Sequence, residues 1–303
     1  MIYIVPISYA VILFTAIILK ITGVFGKEAA SVLMKIVLNV TLPAAVICAF
    51  DNISGGGELL TLIFAGLLFS LIPFLLAFVF TFKAEKNIRA FYMFNAGGYN
   101  IGCFSLSIVS GVFGGTGGVA ACLFDTGNAI VVTGGSYAAA SGMLGFSGNG
   151  SPFLTGIKRL FSSVPFDTYL LMLVLTVFSL KIPVEITSLL KPVAQANGFL
   201  AMFTVGLLFD KSGLKSYVRS VIVVCVIRLV FAVASAFAVY YLFPYSDPVV
   251  KKALIFVLFS PTSALAPIFC EKLCGEGARA GAVSSATVVL SIIYYFILTA
   301  ILT

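Results

Sequence analysis

The feature that most constrains this chain is its division into ten apolar runs, each about as long as a membrane-spanning helix. An α-helix needs about 20 apolar residues to cross the hydrocarbon core of a bilayer. Most charged residues fall in the short gaps between the runs. We predict the first run to be a membrane helix and not a removable signal peptide. The predicted spans are residues 2–21, 30–50, 59–82, 90–113, 118–142, 165–181, 190–209, 217–243, 250–272 and 279–302.

The composition agrees with a membrane protein. Hydrophobic residues make up 61% of the 303 residues and charged residues only 10%, whereas a typical soluble domain carries about 25% charged residues. Histidine is absent, which excludes catalysis, metal sites and proton relays built on that residue. The sequence contains no phosphate-binding P-loop, and its six cysteines form no C-x-x-C pair. We therefore expect neither a cofactor nor a metal.

The basic residues are distributed as in a membrane protein that is oriented by its cytoplasmic loops. With the N-terminus outside and ten crossings, thirteen of the 18 Lys and Arg residues fall on the inner side and four on the outer side. Arg228 is left within a span. Because basic loops remain in the cytoplasm, the sequence predicts a multi-pass protein of the cell membrane with both termini outside. The net charge of +7 is spread thinly, which argues against nucleic acid as a partner.

The two halves of the chain are similar to each other. Asn39 and Leu42 in the second span have counterparts in Asn197 and Leu200 in the seventh, and interrupted helices recur in the fourth and ninth spans. Because each half has an odd number of spans, the second half is predicted to enter the membrane from the opposite side, as in inverted-repeat transporters. The predicted organisation is a five-helix repeat in residues 1–146, a cytoplasmic linker in 147–163 and a second five-helix repeat in 164–303.

The fourth and ninth spans contain residues that interrupt helices. The fourth has three glycines between Asn95 and Gly102, next to Asn100, and each glycine costs ~1 kcal/mol relative to alanine in a helix. The ninth has two prolines in the Ser/Thr-rich segment from Ser260 to Pro267. We expect two half-helices in each span, with N-termini that suit an anion and carbonyl ends that suit a cation. Close packing through glycine and a kinked, continuous ninth helix are the alternatives.

Two polar residues of the fifth span, Asp125 and Asn128, lie three residues apart and hence on one helix face. Asp125 is predicted to lie roughly 10 Å into the membrane, where a carboxyl group must be protonated, paired or bound to a cation. It belongs either to the substrate and coupling site or to a support for the broken backbone of the fourth helix. Arg228, at comparable depth in the eighth span, is interpreted as a structural residue or as an anion clamp.

These motifs resemble the auxin efflux carrier family, which includes plant PIN-type exporters and prokaryotic permeases for malonate, malate and related carboxylates. The similarity extends over nearly the whole chain, and the phrase from Phe124 to Asn128 is its most specific part. The matching segments are Asn39–Pro43, Gly98–Gly102, Leu123–Ala129 and Ser260–Pro267.

The resemblance implies ten helices in two inverted repeats, a scaffold domain, a crossover domain with broken, crossing helices 4 and 9, and elevator-type alternating access. By position it implies that Asn100 and Pro261 lie at the crossing, against the substrate. The chain departs from the family pattern in the fourth span, where no proline follows the glycine and Cys103 comes next. The long cytoplasmic loop of many plant members is also missing, which favours the compact prokaryotic type.

The sequence therefore predicts an all-α membrane protein that acts as a secondary active transporter of a small organic anion, a carboxylate, and not as an enzyme. Coupling to a proton or to sodium is left open, and so is a homodimer. An anion channel and an intramembrane enzyme are the alternatives. The predicted substrate-binding residues are Asn95, Asn100, Gly102, Ser260, Pro261 and Ser263. The predicted coupling or supporting residues are Asn39, Asp125, Asn128 and Arg228.

Overall fold

The regular secondary structure in the described part of the chain is all helical. The computed structural model describes residues 3–26, 28–50, 60–146, 151–243, 245 and 247–302. The helices of the first half are α1 (Ile4–Ile21), α2 (Ala29–Ile36), α3 (Leu42–Phe50), α4 (Leu60–Phe80), α5 (Lys86–Ala96), α6 (Leu106–Ala129) and α7 (Ser136–Leu144). The helices of the second half are α8 (Pro152–Leu160), α9 (Val164–Val177), α10 (Val184–Leu208), α11 (Lys211–Ser216), α12 (Val218–Leu242), α13 (Pro248–Leu258), α14 (Leu265–Cys274) and α15 (Gly277–Leu302).

Three short π-helical turns join some of these helices into longer rods. Val37–Thr41 connects α2 to α3, Ile101–Ser105 precedes α6, and Ile130–Gly135 connects α6 to α7. A π-turn inserts one extra residue per hydrogen-bonded ring and locally widens the helix. All three turns lie near the polar residues that the sequence singles out.

The chain reverses direction inside α6, at Gly114, which has φ 69° and ψ −159°. Residues eight apart in a straight helix are roughly 12 Å apart. A Cβ atom added to Gly118, however, would lie only 2.5 Å from Oγ of Ser110. The residues on either side of Gly114 therefore form two packed arms, and this turn lies at the boundary predicted between the fourth and fifth spans.

The lengths and surfaces of the helices are those of a membrane protein. Six helical segments of the described residues are long and apolar enough to cross a bilayer, and the α8–α9 pair, bent by 71°, makes up to seven if it forms one span. Large apolar side chains point outward, among them Ile18 on α1, Phe64 on α4 and Val230 on α12. A continuous apolar surface of this kind suits lipid and not water. The chain is thus an all-α, multi-pass membrane protein.

The fourth and ninth apolar runs are each divided into two helices. In the fourth run α5 ends at Ala96 and helical structure resumes at Ile101, and in the ninth α13 ends at Leu258 and α14 begins at Leu265. Both interruptions predicted from glycine and proline are confirmed. The ninth run is not a continuous kinked helix.

The predicted linker, residues 147–163, contains helix α8, and its residues 147–150 lie outside the described part of the chain. A proline at the first helical position suits the start of α8. Phe153 and Leu154 are exposed, whereas Lys158 and Arg159 lie in the last turn. At nine residues, α8 is too short to cross a bilayer by itself, so the lengths of the apolar runs do not predict it.

Helix α4 holds the arm of α6 that carries Asp125 and Asn128. The two helices meet backbone to backbone, because a Cβ atom on Gly66 would collide with the α6 main chain and one on Gly127 with the α4 main chain. Small residues allow this close approach between membrane helices. The contact fixes the positions of both polar side chains relative to the break in the fourth run.

Candidate functional site

The two interrupted runs touch where their non-helical links cross. The backbone N–H of Asn100 donates a hydrogen bond of 3.0 Å to the carbonyl oxygen of Pro261. The carbonyl oxygen of Asn100 accepts from the backbone N–H and the hydroxyl of Ser105, each at 3.4 Å. The backbone of Asn100 is therefore held on both sides, at the position just before the Ile101 turn.

Arg228 of α12 binds both links at once. Its Nη1 lies 3.3, 3.1 and 2.8 Å from the carbonyl oxygens of Asn95, Ala96 and Gly98. Its Nη2 donates to the carbonyl oxygen of Ser260 at 2.9 Å. Carbonyl groups at a broken helix end have no hydrogen-bond partner within the helix. The guanidinium group is a hydrogen-bond donor to such carbonyls in both interrupted runs.

Asn128 holds the first link open through all four hydrogen bonds that its amide can form. Its Oδ1 accepts from the backbone N–H of Tyr99 at 3.0 Å and from the hydroxyl of Ser70 at 2.9 Å. Its Nδ2 donates to the carbonyl oxygen of Tyr99 at 3.0 Å and to Oδ1 of Asp125 at 2.8 Å. The side chain thus replaces the helical partners of Tyr99, and no hydrogen-bonding capacity is left for a ligand.

Asp125 accepts hydrogen bonds from two side chains. Besides Asn128, the hydroxyl of Tyr169 on α9 donates to Oδ2 at 2.7 Å. The same Oδ2 lies beside Gly102, where an added Cβ atom would be 3.4 Å away. Gly102 lies in the π-turn after the first break. Asp125 therefore supports the broken fourth run, as one of the two interpretations of the sequence proposed, while also lining the cavity described below.

The second link is braced by hydroxyl groups on neighbouring helices. The Ser260 hydroxyl lies 2.5 Å from that of Ser105 and 3.2 Å from that of Tyr295, and Tyr295 donates to Ser105 at 2.6 Å. The backbone N–H of Thr262 donates to Oγ1 of Thr287 at 3.3 Å. Tyr295 and Thr287 belong to α15, and Ser105 belongs to the π-turn before α6. Each interrupted run is therefore held by other helices.

A cavity of about 550 Å³ opens beside the crossing. Each of the three π-helical turns contributes to its wall, and such turns are frequent at functional sites. On another side α8 supplies Lys158 and Arg159, and the Arg159 guanidinium lies 3.6 Å from the centre of the Tyr137 ring. Asp125 is the only acidic side chain among the described residues of the wall.

A second cavity of about 470 Å³ adjoins the first, and Asn100 is among the residues that line both. The second cavity lies between α1, α2, α10 and α15 and has Lys35 in its wall. Asn100 is 6% exposed, and within the described residues its side-chain amide has no hydrogen-bond partner. A buried amide without protein partners can bind a ligand with two N–H donors and one acceptor.

The predicted substrate-binding residues divide into two groups. The wall of the first cavity includes Asn100, Gly102 and Ser263 but not Asn95, Ser260 or Pro261. Asn95 is directed away from the cavity and donates to the carbonyl oxygen of Phe91 at 2.8 Å and to Sγ of Cys270 at 3.6 Å. The hydroxyl of Ser263 accepts from the backbone N–H of Leu265 at 3.2 Å, at the start of α14.

Among the predicted supporting residues, Asn39, Asp125 and Asn128 line the cavity, whereas Arg228 lies outside it. Asn39 is exposed, and its Nδ2 donates to the carbonyl oxygen of Lys35 at 2.8 Å. Sequence reasoning missed Tyr169, the partner of Asp125. A tyrosine in a membrane span is too common to signal such a role without the tertiary contact.

The described residues contain no group of three or more Cys, Asp or Glu side chains that could hold a metal ion. A comparison of the chain with protein-family models finds no match. A comparison with curated protein sequences finds no significant similarity either.

Proposed function

We propose that this protein is a secondary active transporter of a small organic anion, a carboxylate, which binds at Asn100 between two half-helices. The observation that carries the proposal is the free side-chain amide of Asn100 at the crossing of the two links, in contact with both cavities. An amide N–H bound to a carboxylate forms a charge-assisted hydrogen bond. Asn39, Asn95 and Asn128, in contrast, each donate from Nδ2 to a group of the protein.

The electrostatics of the cavities favour an anion. Helical structure begins at Ile101 and at Leu265 beside the same cavity, and helix starts carry partial positive charge. Lys35, Lys158 and Arg159 add positive charge to the walls. Each carboxyl oxygen of Asp125 already accepts a hydrogen bond from a side chain of the protein, which reduces the repulsion between that carboxyl group and a bound anion.

For the architecture we propose ten crossings in two inverted five-helix repeats, residues 1–146 and 164–303, as in the auxin efflux carrier family. Each of the ten apolar runs is one helix or a pair of helices, and the two broken runs occupy corresponding places in the two halves. Transport by alternating access follows from such a site near the bilayer midplane. With the N-terminus outside, α8 and the start of α2 are cytoplasmic, and both cavities open inward.

The experiment is uptake into liposomes that contain the purified protein, across a panel of mono- and dicarboxylates, with imposed pH or sodium gradients. We expect saturable uptake of at least one carboxylate, driven by one of the two gradients. Asn100→Ala is expected to raise KM about tenfold or more, because a hydrogen bond to a charged group contributes about 1.5–3 kcal/mol.

The matched control is Asn87→Ala, which removes an exposed asparagine from the first turn of α5, the helix that precedes the first link. This variant should keep the wild-type KM. Unchanged uptake by Asn100→Ala would show that the anion binds elsewhere. Uptake that rises linearly with concentration, independent of any gradient, would indicate the alternative function, an anion channel.

A further inference from the structure

Arg228 makes the most extensive set of backbone contacts at the crossing, and these contacts assign it a role that the sequence leaves open. Its Nη1 is shared among three carbonyl oxygens of the first link, from Asn95, Ala96 and Gly98. Its Nη2 binds the carbonyl oxygen of Ser260 in the second link. One side chain on α12 thus joins the two links, whose residues Gly98 and Ser260 are 162 positions apart in the chain.

The position of Arg228 excludes the anion-clamp interpretation. The residue lines neither of the two large cavities. Arg228 lines a void of about 20 Å³, which is roughly the space needed for one water molecule and too small for a carboxylate ligand. Its guanidinium group also lies 5.1 Å from the centre of the Tyr99 ring, so that ring covers part of it.

The four carbonyls that Arg228 binds are of the type that otherwise attract a metal cation. Carbonyls at the C-terminal end of a helix carry partial negative charge, and unwound carbonyls in broken membrane helices coordinate sodium in transporters built from inverted repeats. Here α5 and α13 end at the crossing, and the guanidinium group takes the carbonyls of both ends. The positive charge at this position therefore belongs to the protein.

We propose that Arg228 is a resident cation of the crossing: it occupies the position of a coupling cation, and it positions Asn100 by fixing both links. Asn100 ends the first link, and its N–H is hydrogen-bonded to the carbonyl oxygen of Pro261 in the second, so Arg228 holds the backbone on both sides of this contact. Another oxygen beside the first link, Oδ1 of Asn128, already accepts two hydrogen bonds. This inference rests on the proposed transport function and excludes sodium from this part of the site.

The test compares Arg228→Ala with wild type in two measurements, thermal unfolding of the purified protein and carboxylate uptake into liposomes. We expect Arg228→Ala to unfold at a lower Tm and to lose uptake at least about tenfold, equivalent to ~1.4 kcal/mol. Millimolar guanidinium ion should raise the Tm of Arg228→Ala and restore part of its uptake, and should do neither in wild type. Replacing sodium by potassium should leave wild-type uptake and KM unchanged.

Two variants complete the design. Arg219→Ala removes an exposed arginine from the same helix, and we expect it to behave as wild type, with or without guanidinium. Arg228→Lys keeps the charge, but a single ammonium group lacks the planar fork that reaches both links. We therefore expect Arg228→Lys to have a lowered Tm and a raised KM, and this variant replaces Arg228→Ala if the alanine variant cannot be purified.

The outcomes separate this inference from the proposed function. If wild type moves no carboxylate in any gradient, the proposed function fails, while guanidinium-specific stabilisation of Arg228→Ala still supports the resident cation. A Tm of Arg228→Ala that guanidinium does not raise would overturn the inference. So would a sodium requirement of wild-type uptake, or an Arg228→Lys variant as stable and active as wild type.

Discussion

The two interruptions that meet at the crossing are built from different residues and are held open in different ways. The first link, residues 97–100, contains glycines and no proline. Glycine makes a helix less stable but does not prevent it. What keeps the first link open is the amide of Asn128, which takes both the N–H and the carbonyl oxygen of Tyr99.

In the second link the sequence itself enforces the break, because Pro261 and Pro267 lack the N–H groups that a continuous helix needs. In the second link two backbone groups are held by two different side chains. Thr287 binds the N–H of Thr262, and Arg228 binds the carbonyl oxygen of Ser260. The comparison indicates that the glycine break depends on external side chains, Asn128 above all, whereas the proline break combines the effect of its own residues with several external contacts. The following predictions test this difference.

The largest effect is expected for Asn128→Ala. The substitution leaves both backbone groups of Tyr99 and the hydroxyl of Ser70 without their partner in the protein interior. Each unsatisfied buried group costs about 1–3 kcal/mol, so the free energy of unfolding should fall by about 4 kcal/mol. Thermal unfolding in detergent measures the change. Asn39→Ala, which removes one hydrogen bond on an exposed helix face, is the matched control and should lower stability by at most about 0.5 kcal/mol.

An intermediate effect is expected for Gly98→Ala. Gly98 has φ +78°, and a Cβ atom there would collide with a methyl group of Val132. A left-handed backbone costs a residue other than glycine about 1–2 kcal/mol, and the collision adds to this cost. We therefore expect a loss of about 2 kcal/mol. Gly115→Ala, at a position with open space and without positive φ, should be close to neutral. Equal losses in the two variants would show that the first link does not need its glycine.

The sequence was sufficient to predict the interruptions because their causes are local. Hydrophobic runs fix where helices lie, and Gly97 to Gly102 and Pro261 to Pro267 fix where they break. It was also sufficient to place Asp125 and Asn128 on one helix face, and the two side chains are in fact hydrogen-bonded at 2.8 Å. Helical periodicity alone determines that contact.

The distribution of roles among the polar residues could not be predicted in this way. Asn95, Asn100 and Asn128 are the same residue type, and only tertiary contacts decide that Asn128 is fully bonded and Asn100 free. Ser260 was predicted to bind substrate but belongs to a hydroxyl cluster with Ser105, 155 residues away in the chain. Within an unwound link no 3.6-residue period exists, and the side that each residue faces depends on the crossing partner.

The smallest effect is expected for Pro261→Ala, although Pro261 stands at the crossing itself. The contact that matters is made by the carbonyl oxygen of residue 261, which accepts from the N–H of Asn100 at 3.0 Å and remains in the variant. Thr287 and Arg228 still hold the neighbouring backbone groups. The loss should then be limited to the proline contribution to unfolded-chain entropy, about 0.4–1 kcal/mol. If Pro261→Ala instead destabilises the protein as much as Asn128→Ala, the proline ring itself holds the second link open. Each link would then depend on one residue, and the two would differ only in the type of that residue.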